Sequence, residues 1–451
     1  MSKEWSRNEA VGQFLKQVCG HIKAKEVHEE IRLEMLSHLD ELVEDKLREG
    51  VTEEEAVRQA LERMGDPDQI GKQLHAAHKP VFEWSLAVLV AIMVGISLSV
   101  MYAMKFTLID EYGLVDRYFQ HKSVYVAAGV IVLIAIYFMD YRTLKKYSWY
   151  LYILNIVLVL GGSEFGQQIN GSGRWLGIGS IGFDVYALSP YLFMVAIAGT
   201  LTLQANKPTA HRSQWVAIGK MTVLYFLVPV LLYTANRSLI PLVIYGLSVM
   251  ALIWLVAKNY KLLLAGLVSY IVGGSGFLLS NPHYYYMLME RLQAFLHPHS
   301  EPGGYMTLKA LHFIQSAGMW GQGFGVENRM IPYVYGDMIF TYLIYSLGWV
   351  FGAAMVVLIL VLAGRAINVS RQLRDPYARG LVVGLFSIIG IHYLWNMLMS
   401  VGLLPIAGMP MPFISYGGTR TVAELAAVGV ILGVYRRKNR LSRASAEITG
   451  S

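Results

Sequence analysis

Ten long, mostly apolar stretches dominate this 451-residue chain, at 82–104, 123–140, 147–162, 186–204, 214–234, 238–257, 261–280, 338–363, 378–400 and 413–435. A helix needs about 20 such residues to cross a bilayer core. In lipid, only structures that satisfy their backbone polar groups internally can do so. The expected fold is all-α: a polytopic membrane protein with about ten transmembrane helices. With 55% hydrophobic and only 15% charged residues, a soluble enzyme is excluded.

Charge divides the chain. Residues 1–80 hold 17 acidic and 12 basic side chains, net −5, whereas 81–451 hold 14 acidic and 26 basic, net +12. The first segment reads as a small helical module. Val11, Phe14, Leu15 and Val18 recur at helical spacing, as do Ile31, Met35, Leu39 and Leu42. Thr52 with Glu55 forms a capping-box pair ahead of a third helix, and Asp66-Pro67 starts a fourth. The carboxylates of Glu53, Glu54 and Glu55 read as a solvated face. Cys19 is the single cysteine, so neither an internal disulfide nor a cysteine metal site is expected. The opening MSKEWSRNEAVGQF lacks an apolar signal-peptide core, and no cleavage is expected. The expected domains are a cytoplasmic helical prefix at 1–80, a membrane domain at 81–437 with a large extracytoplasmic loop at 281–337, and a basic cytoplasmic tail at 438–451.

Loop charges set the expected orientation. One set of connections and the tail carry 16 Lys and Arg residues, among them Arg142, Lys145, Lys146, Arg365, Arg371, Arg374, Arg379 and Arg436. The opposite set carries eight: Lys105, Arg117, Lys122, Arg174, Arg237, Arg291, Lys309 and Arg329. Both termini are therefore expected in the cytoplasm, and the long connections 163–185 and 281–337 outside, where non-helical backbone of that length lines sites. The surplus positive charge is topogenic and does not indicate nucleic acid.

Those outer segments contain NGSGRW (Asn170 to Trp175), RLQAFLHP (Arg291 to Pro298), GMWGQGFG (Gly318 to Gly325), IPYVYGDMIF (Ile331 to Phe340) and GLLPIAGMPMPFISYGG (Gly402 to Gly418). In this order and spacing, across ten spans, they resemble the SEDS family of cell-shape, division and sporulation proteins, the RodA, FtsW and SpoVE relatives. The resemblance covers residues 82–437 and implies a peptidoglycan glycosyltransferase. Such an enzyme polymerises lipid II, the undecaprenyl-pyrophosphate-linked disaccharide-peptide, at the outer face of the bacterial cytoplasmic membrane. It also implies a class B penicillin-binding protein as partner, with membrane lipid around the spans. Residues 1–80 resemble the helical prefix found ahead of some bacterial permeases, which implies regulation or docking.

By position in the family, Asp337 is the expected catalytic carboxylate, since a sugar hydroxyl attacking an anomeric carbon needs a proton acceptor. An Asp directly before an apolar helix is equally an N-cap. Arg174 offers a planar fork to pyrophosphate, and Trp175 packs either on substrate or at the membrane interface. Arg291, Lys309 and Arg329 are further cations within reach of such a ligand, or solvated surface. Ser415, Gly417 and Gly418 line either a groove opened by Pro405, Pro410 and Pro412 or a close helix contact. Arg420 and Glu424, four apart on one helix face, can form an intramembrane ion pair. His283, His297, His299 and His312 share the large loop without a standard ligand spacing, so no metal site is expected. A divalent cation such as Mg2+ would help neutralise pyrophosphate, but no dedicated site is evident.

Several family positions are changed. The Gln-Pro-Ser-Glu segment with its nearby Lys gives way to ALSPYLFMV (Ala187 to Val195), and the Asp-Leu-Gly-Thr pattern to Asn236-Arg237-Ser238-Leu239. The sequence ahead of the key Asp becomes Pro332-Tyr333-Val334-Tyr335-Gly336, an acidic pair becomes Tyr345-Ser346, and Gly-Gly-Ser-Ser becomes Gly417-Gly418-Thr419-Arg420. Two other functions stay open at this point: a lipid-linked precursor transporter (flippase), and a non-catalytic scaffold for a penicillin-binding protein. A transporter predicts internal repeats and midplane charges. No clear repeat is visible in the sequence.

Overall fold

The computed structural model describes residues 8–22, 28–77, 81–107, 115–169, 172–178, 181–205, 211–300, 302–326 and 333–438. It divides into two compact units, 1–82 with 436–451, and 83–435.

In the first unit, α1 (Glu9–Gly20) starts at Asn8, whose side chain accepts from the Ala10 amide at 3.0 Å. It is followed by α2 (His28–Arg48), α3 (Glu53–Met64) and α4 (Pro67–Ala77). Their apolar stripes merge into one core containing Val11, Leu15, Val18, Ile31, Leu39, Val43, Val57 and Leu74. Asp66 accepts from the Asp68 amide at 3.1 Å and so begins α4. The capping box at α3 is not formed. Thr52 occupies the cap position without a side-chain bond, and Glu53, Glu54 and Glu55 serve the positive helix end instead.

Among the described residues the second unit contains ten helices long and apolar enough to cross a membrane. They begin with α5 (Trp84–Thr107) and α6 (Val115–Phe138). After the short α7 (Tyr141–Lys146) come α8 (Ser148–Phe165) and α9 (Val185–Ala205). A further span runs from α10 (His211–Thr222) through a π turn into α11 (Val228–Ala235), and then follow α12 (Leu239–Leu252), ending in a π turn at Ile253–Ala257, and α13 (Tyr260–Ser280). The loop segment 281–337 contributes α14 (Pro282–Leu296) and α15 (Tyr305–Ser316), and the unit closes with α16 (Ile339–Gln372), α17 (Pro376–Ser400) and α18 (Gly418–Arg436). In α18 and α9, 83% and 78% of the apolar window is buried inside the protein, against 11% in α13, so α18 and α9 form the centre. Small residues let α18 sit that deep. A Cβ on Gly429 would lie 2.8 Å from the Leu133 carbonyl oxygen of α6, and one on Gly418 would collide with the Tyr125 ring.

Three span boundaries differ from expectation, the eighth because α16 runs on to Gln372, nine residues past the expected end at 363. The second span begins at Val115, and its polar first turns VDRYFQHK carry Lys122 into the protein interior. The tenth begins at Gly418, because 413–417, although apolar, is non-helical backbone, buried as far as Ser415. The 163–185 connection holds an antiparallel sheet in the order β1 (Gln167–Ile169), β2 (Ser172–Ile178), β3 (Ile181–Asp184).

The GMWGQGFG motif has a structural role. α16 breaks at Gly348, where φ is +88°, and the exposed backbone groups are taken up by the glycine-rich turn. Trp349 N and Val350 N donate to the carbonyls of Gly318 (3.1 Å) and Met319 (3.3 Å). In return Gln322 N and Gly323 N donate to Tyr345 and Ser346, both at 3.0 Å. A Cβ at Gly321 or Gly348 would collide with the opposing backbone. The break separates a short segment beginning at Ile339, next to Asp337, from the long membrane-crossing part.

Candidate active site

The site is built around residues 402–417, where the prolines prevent a helix but the segment is nevertheless buried from Met411 to Ser415. Buried irregular backbone persists only if protein groups satisfy it, and four surrounding helices supply them. From α17, Trp395 donates to the Pro405 carbonyl (3.2 Å), Asn396 to Met409 (2.7 Å) and Tyr393 to Pro412 (2.8 Å). From α5, Ser97 donates to Ile414 (2.8 Å). From α6, Lys122 Nζ donates to the carbonyls of Phe413 (3.0 Å) and Ser415 (2.8 Å) and to Thr421 Oγ1 (2.8 Å). From α18, Glu424 Oε2 accepts from the Phe413 amide at 2.7 Å. Phe413 itself has φ +60°, and both of its backbone polar groups are held by buried charged side chains.

This braced segment in turn holds the Asp337 turn. Three successive carbonyls are fixed: Tyr335 accepts from Tyr416 N (2.7 Å), Gly336 from Ser415 Oγ (2.8 Å) and Asp337 from Asn396 Nδ2 (2.9 Å). The Asp337 carboxylate lies toward Gly408, where a Cβ would come within 3.8 Å of Oδ2. The cap position of α16 is Met338, one residue past Asp337, and its side chain makes no capping bond. Tyr118 stacks on Tyr335 at 4.8 Å and meets Tyr416 edge-on at 5.0 Å, which closes one side of the turn with aromatic rings. Burial first, then Tyr125 and Tyr335, push the Tyr416 hydroxyl above its usual pKa, so it remains neutral.

Ile240, whose Cδ1 would touch a Cβ at Gly408 at 3.1 Å, also lines a narrow enclosed pocket with Tyr186, Ala187, Pro190, Tyr191, His392 and Arg420. Its free space is about 10 Å³, room for roughly one water. Arg420 and Glu424 do not pair. Glu424 is committed to the Phe413 amide, and Arg420 Nη1 is buried without a hydrogen-bond partner.

The expected binding residues are only partly gathered. Ser415 is at the centre, tying Met411 N (2.8 Å) to Gly336, while Gly418 packs on Tyr125 and Gly417 accepts from Thr421 N. Arg174 and Trp175 belong to β2, where Trp175 is half-buried and its ring covers Gly182. Trp175 pairs across the sheet with Asp184, whose amide donates to Thr419 Oγ1 (2.9 Å), so the sheet is tethered beside Arg420. Arg291 lines a cavity of about 170 Å³ with Glu290, Thr307 and Ile406, against the other end of the braced segment. Lys309 is turned onto the Tyr305 ring at 4.6 Å. Arg329 and Pro332 lie outside the described residues, as do Asn170 and Gly171. The sequence reading missed Lys122, counted as a loop cation, together with Asn396 and Tyr393; their signal was polarity within or beside apolar spans. Among the described residues no three His, Cys, Asp or Glu side chains converge as metal ligands.

A sequence profile of the family described as "Cell cycle protein", that of FtsW, RodA and SpoVE, matches residues 81–440. The chain is 26% identical over 363 residues to stage V sporulation protein E of Bacillus subtilis, covering 78% of this chain and 96% of that protein. It is 25% identical over 346 residues to the peptidoglycan glycosyltransferase MrdB of Escherichia coli, covering 74% and 89%. In fold it is similar to a chain of a peptidoglycan synthase complex (TM-score 0.65, 21% identity, 79% of this chain and 98% of that one). It is likewise similar to the rod shape determining protein RodA of Thermus thermophilus (TM-score 0.57, 19% identity, 79% and 98%). The ten spans, the braced PFISYGG segment and the profile match over most of the chain together establish that this protein belongs to the FtsW, RodA and SpoVE family of cell cycle proteins.

Proposed function

We propose that this multi-pass membrane protein is a peptidoglycan glycosyltransferase that polymerises lipid II, with the Asp337 face of the membrane body on the outer side and both termini in the cytoplasm. The observation that carries this reading is the fixing of three successive carbonyls, Tyr335 to Asp337, by the braced 409–416 segment and Asn396. A carboxylate used as a base has to be held in place, and here its backbone is held by a segment that is itself tied to α5, α6, α17 and α18. The relatives named peptidoglycan glycosyltransferase support the same chemistry.

In the reaction, a sugar hydroxyl of one lipid-linked chain attacks the anomeric carbon of another. The new glycosidic bond forms as the bond to pyrophosphate breaks with inversion, undecaprenyl pyrophosphate leaves, and Asp337 accepts the hydroxyl proton. Arg174 and Arg291 are the cations proposed to bind the pyrophosphate, and Trp175 is proposed to offer an apolar ring to the sugar or lipid. The proposed partner is a class B penicillin-binding protein, in keeping with the synthase complex that the fold resembles.

The test is glycan synthesis by the purified chain, alone and with candidate penicillin-binding proteins, supplied with lipid II. Polymer should form and fall about 10²–10⁴-fold in Asp337→Asn. Normal complex formation without polymer under every partner condition would instead identify a scaffold.

A further inference from the structure

On the membrane face opposite Asp337, α16 and α17 part around a cavity of about 450 Å³. Its wall is apolar, with Leu255, Ile359, Leu362, Val382, Val383 and Phe386, and two arginines stand at its mouth, Arg371 near the end of α16 and Arg379 in the first turn of α17. Arg379 Nε is buried with no hydrogen-bond partner. The neighbouring carboxylate of Asp375 is engaged elsewhere, accepting from the amides of Tyr377 and Ala378 (both 3.2 Å) and from the Tyr141 hydroxyl (3.3 Å). The lining extends from Arg371 to Ile359 on one helix and from Arg379 to Tyr393 on the other, about 18 and 21 Å at 1.5 Å per residue. That depth is close to one leaflet of hydrocarbon, about 15 Å. A mostly apolar slot one leaflet deep, with cations only at the water end, complements the charge and shape of a phospholipid with an anionic headgroup.

We propose that this cavity binds one acyl chain of an anionic membrane phospholipid, with the headgroup phosphate held by Arg371 and Arg379. The far end of the slot is Tyr393, whose hydroxyl holds the Pro412 carbonyl of the braced segment, so the lipid tail abuts a side chain that supports the Asp337 site.

Native mass spectrometry of the full-length chain, titrated in detergent with dioleoyl phosphatidylglycerol or dioleoyl phosphatidylcholine, tests this without any activity readout. One phosphatidylglycerol should be retained about tenfold more tightly than phosphatidylcholine. Arg371→Gln with Arg379→Gln should remove that preference. Gly390→Leu, at a lining position where an added Cβ meets nothing within 4 Å, should weaken retention of both lipids without lowering the melting temperature. Equal retention of the two lipids by the unaltered chain, a preference that survives the double Gln variant, or undiminished binding by Gly390→Leu would overturn the proposal.

Discussion

The two units use charge in opposite ways. In the first, Arg58 pairs with Glu55 at 2.7 Å and Lys46 with Glu49 at 2.6 Å, one helical turn apart on the outside of a helical core that gathers Val11, Leu15, Val18, Ile31 and Leu39. In the second, Lys122 and Glu424 are buried at 0% and 2% exposure, and together they hold the backbone of residue 413, nearly 300 residues from Lys122 in sequence. Surface pairs trade water for a partner at almost no net gain. A buried charge is retained only when its donors or acceptors are filled, and its loss leaves other buried groups exposed to the same penalty. The surface pairs of Lys46 and Arg58 are thus dispensable decoration, whereas Lys122 and Glu424 are an internal brace.

The largest break in this contrast should come from Lys122→Met. It strips three acceptors of their donor and leaves the Glu424 charge without its neighbouring cation, and a loss of about 3–5 kcal/mol is expected. Thermal unfolding in detergent measures it, and Lys122→Met with Glu424→Gln should recover part of the loss. A single variant that melts like the unaltered chain would show that the brace is ornamental.

A smaller effect is expected for Asn396→Leu, which leaves the Asp337 and Met409 carbonyls unsatisfied at about 1–3 kcal/mol. Because one of those carbonyls belongs to Asp337, polymer yield should drop about tenfold even at temperatures where the variant is folded. Unchanged yield from a destabilised protein would separate support of the fold from support of the site.

The smallest effect belongs to the first unit. A hydrogen bond from His21, then one from Gln17, holds the Asp68 carboxyl below the usual carboxylate range. The folded pKa is lowered, so its contribution is complete above the unfolded value of about 3.9 and is lost as pH falls through the lower folded value. Asp68→Asn should therefore melt slightly below the unaltered chain at pH 6, with the gap closing below about pH 4. A gap that persists at pH 3 would show that packing, not charge, is responsible.

How much was legible follows from how local each signal is. The stripe Val11, Leu15 and Val18 and the start at Asp66-Pro67 depend on spacing within one helix, and both appear as read. Lys122 was placed in a loop because hydropathy starts the span at the first unbroken apolar run, whereas the helix begins eight residues before it. Residues 413–417 (FISYG) pass for the start of a span in the sequence because apolarity reports burial and not backbone conformation. Arg420 and Glu424 share a helix face, yet the Phe413 amide, brought in by another segment, takes the carboxylate.

The sequence by itself determined that this chain crosses a membrane about ten times, carries a helical acidic prefix and has the motifs of its family, because burial in lipid writes long apolar runs and helices write their period. Only the tertiary structure decided which polar groups meet. Residues 122, 336, 396, 413 and 424 come from five separate stretches of chain, and their partnership arises from the need to satisfy non-helical backbone at membrane depth, a requirement that no single stretch of sequence expresses.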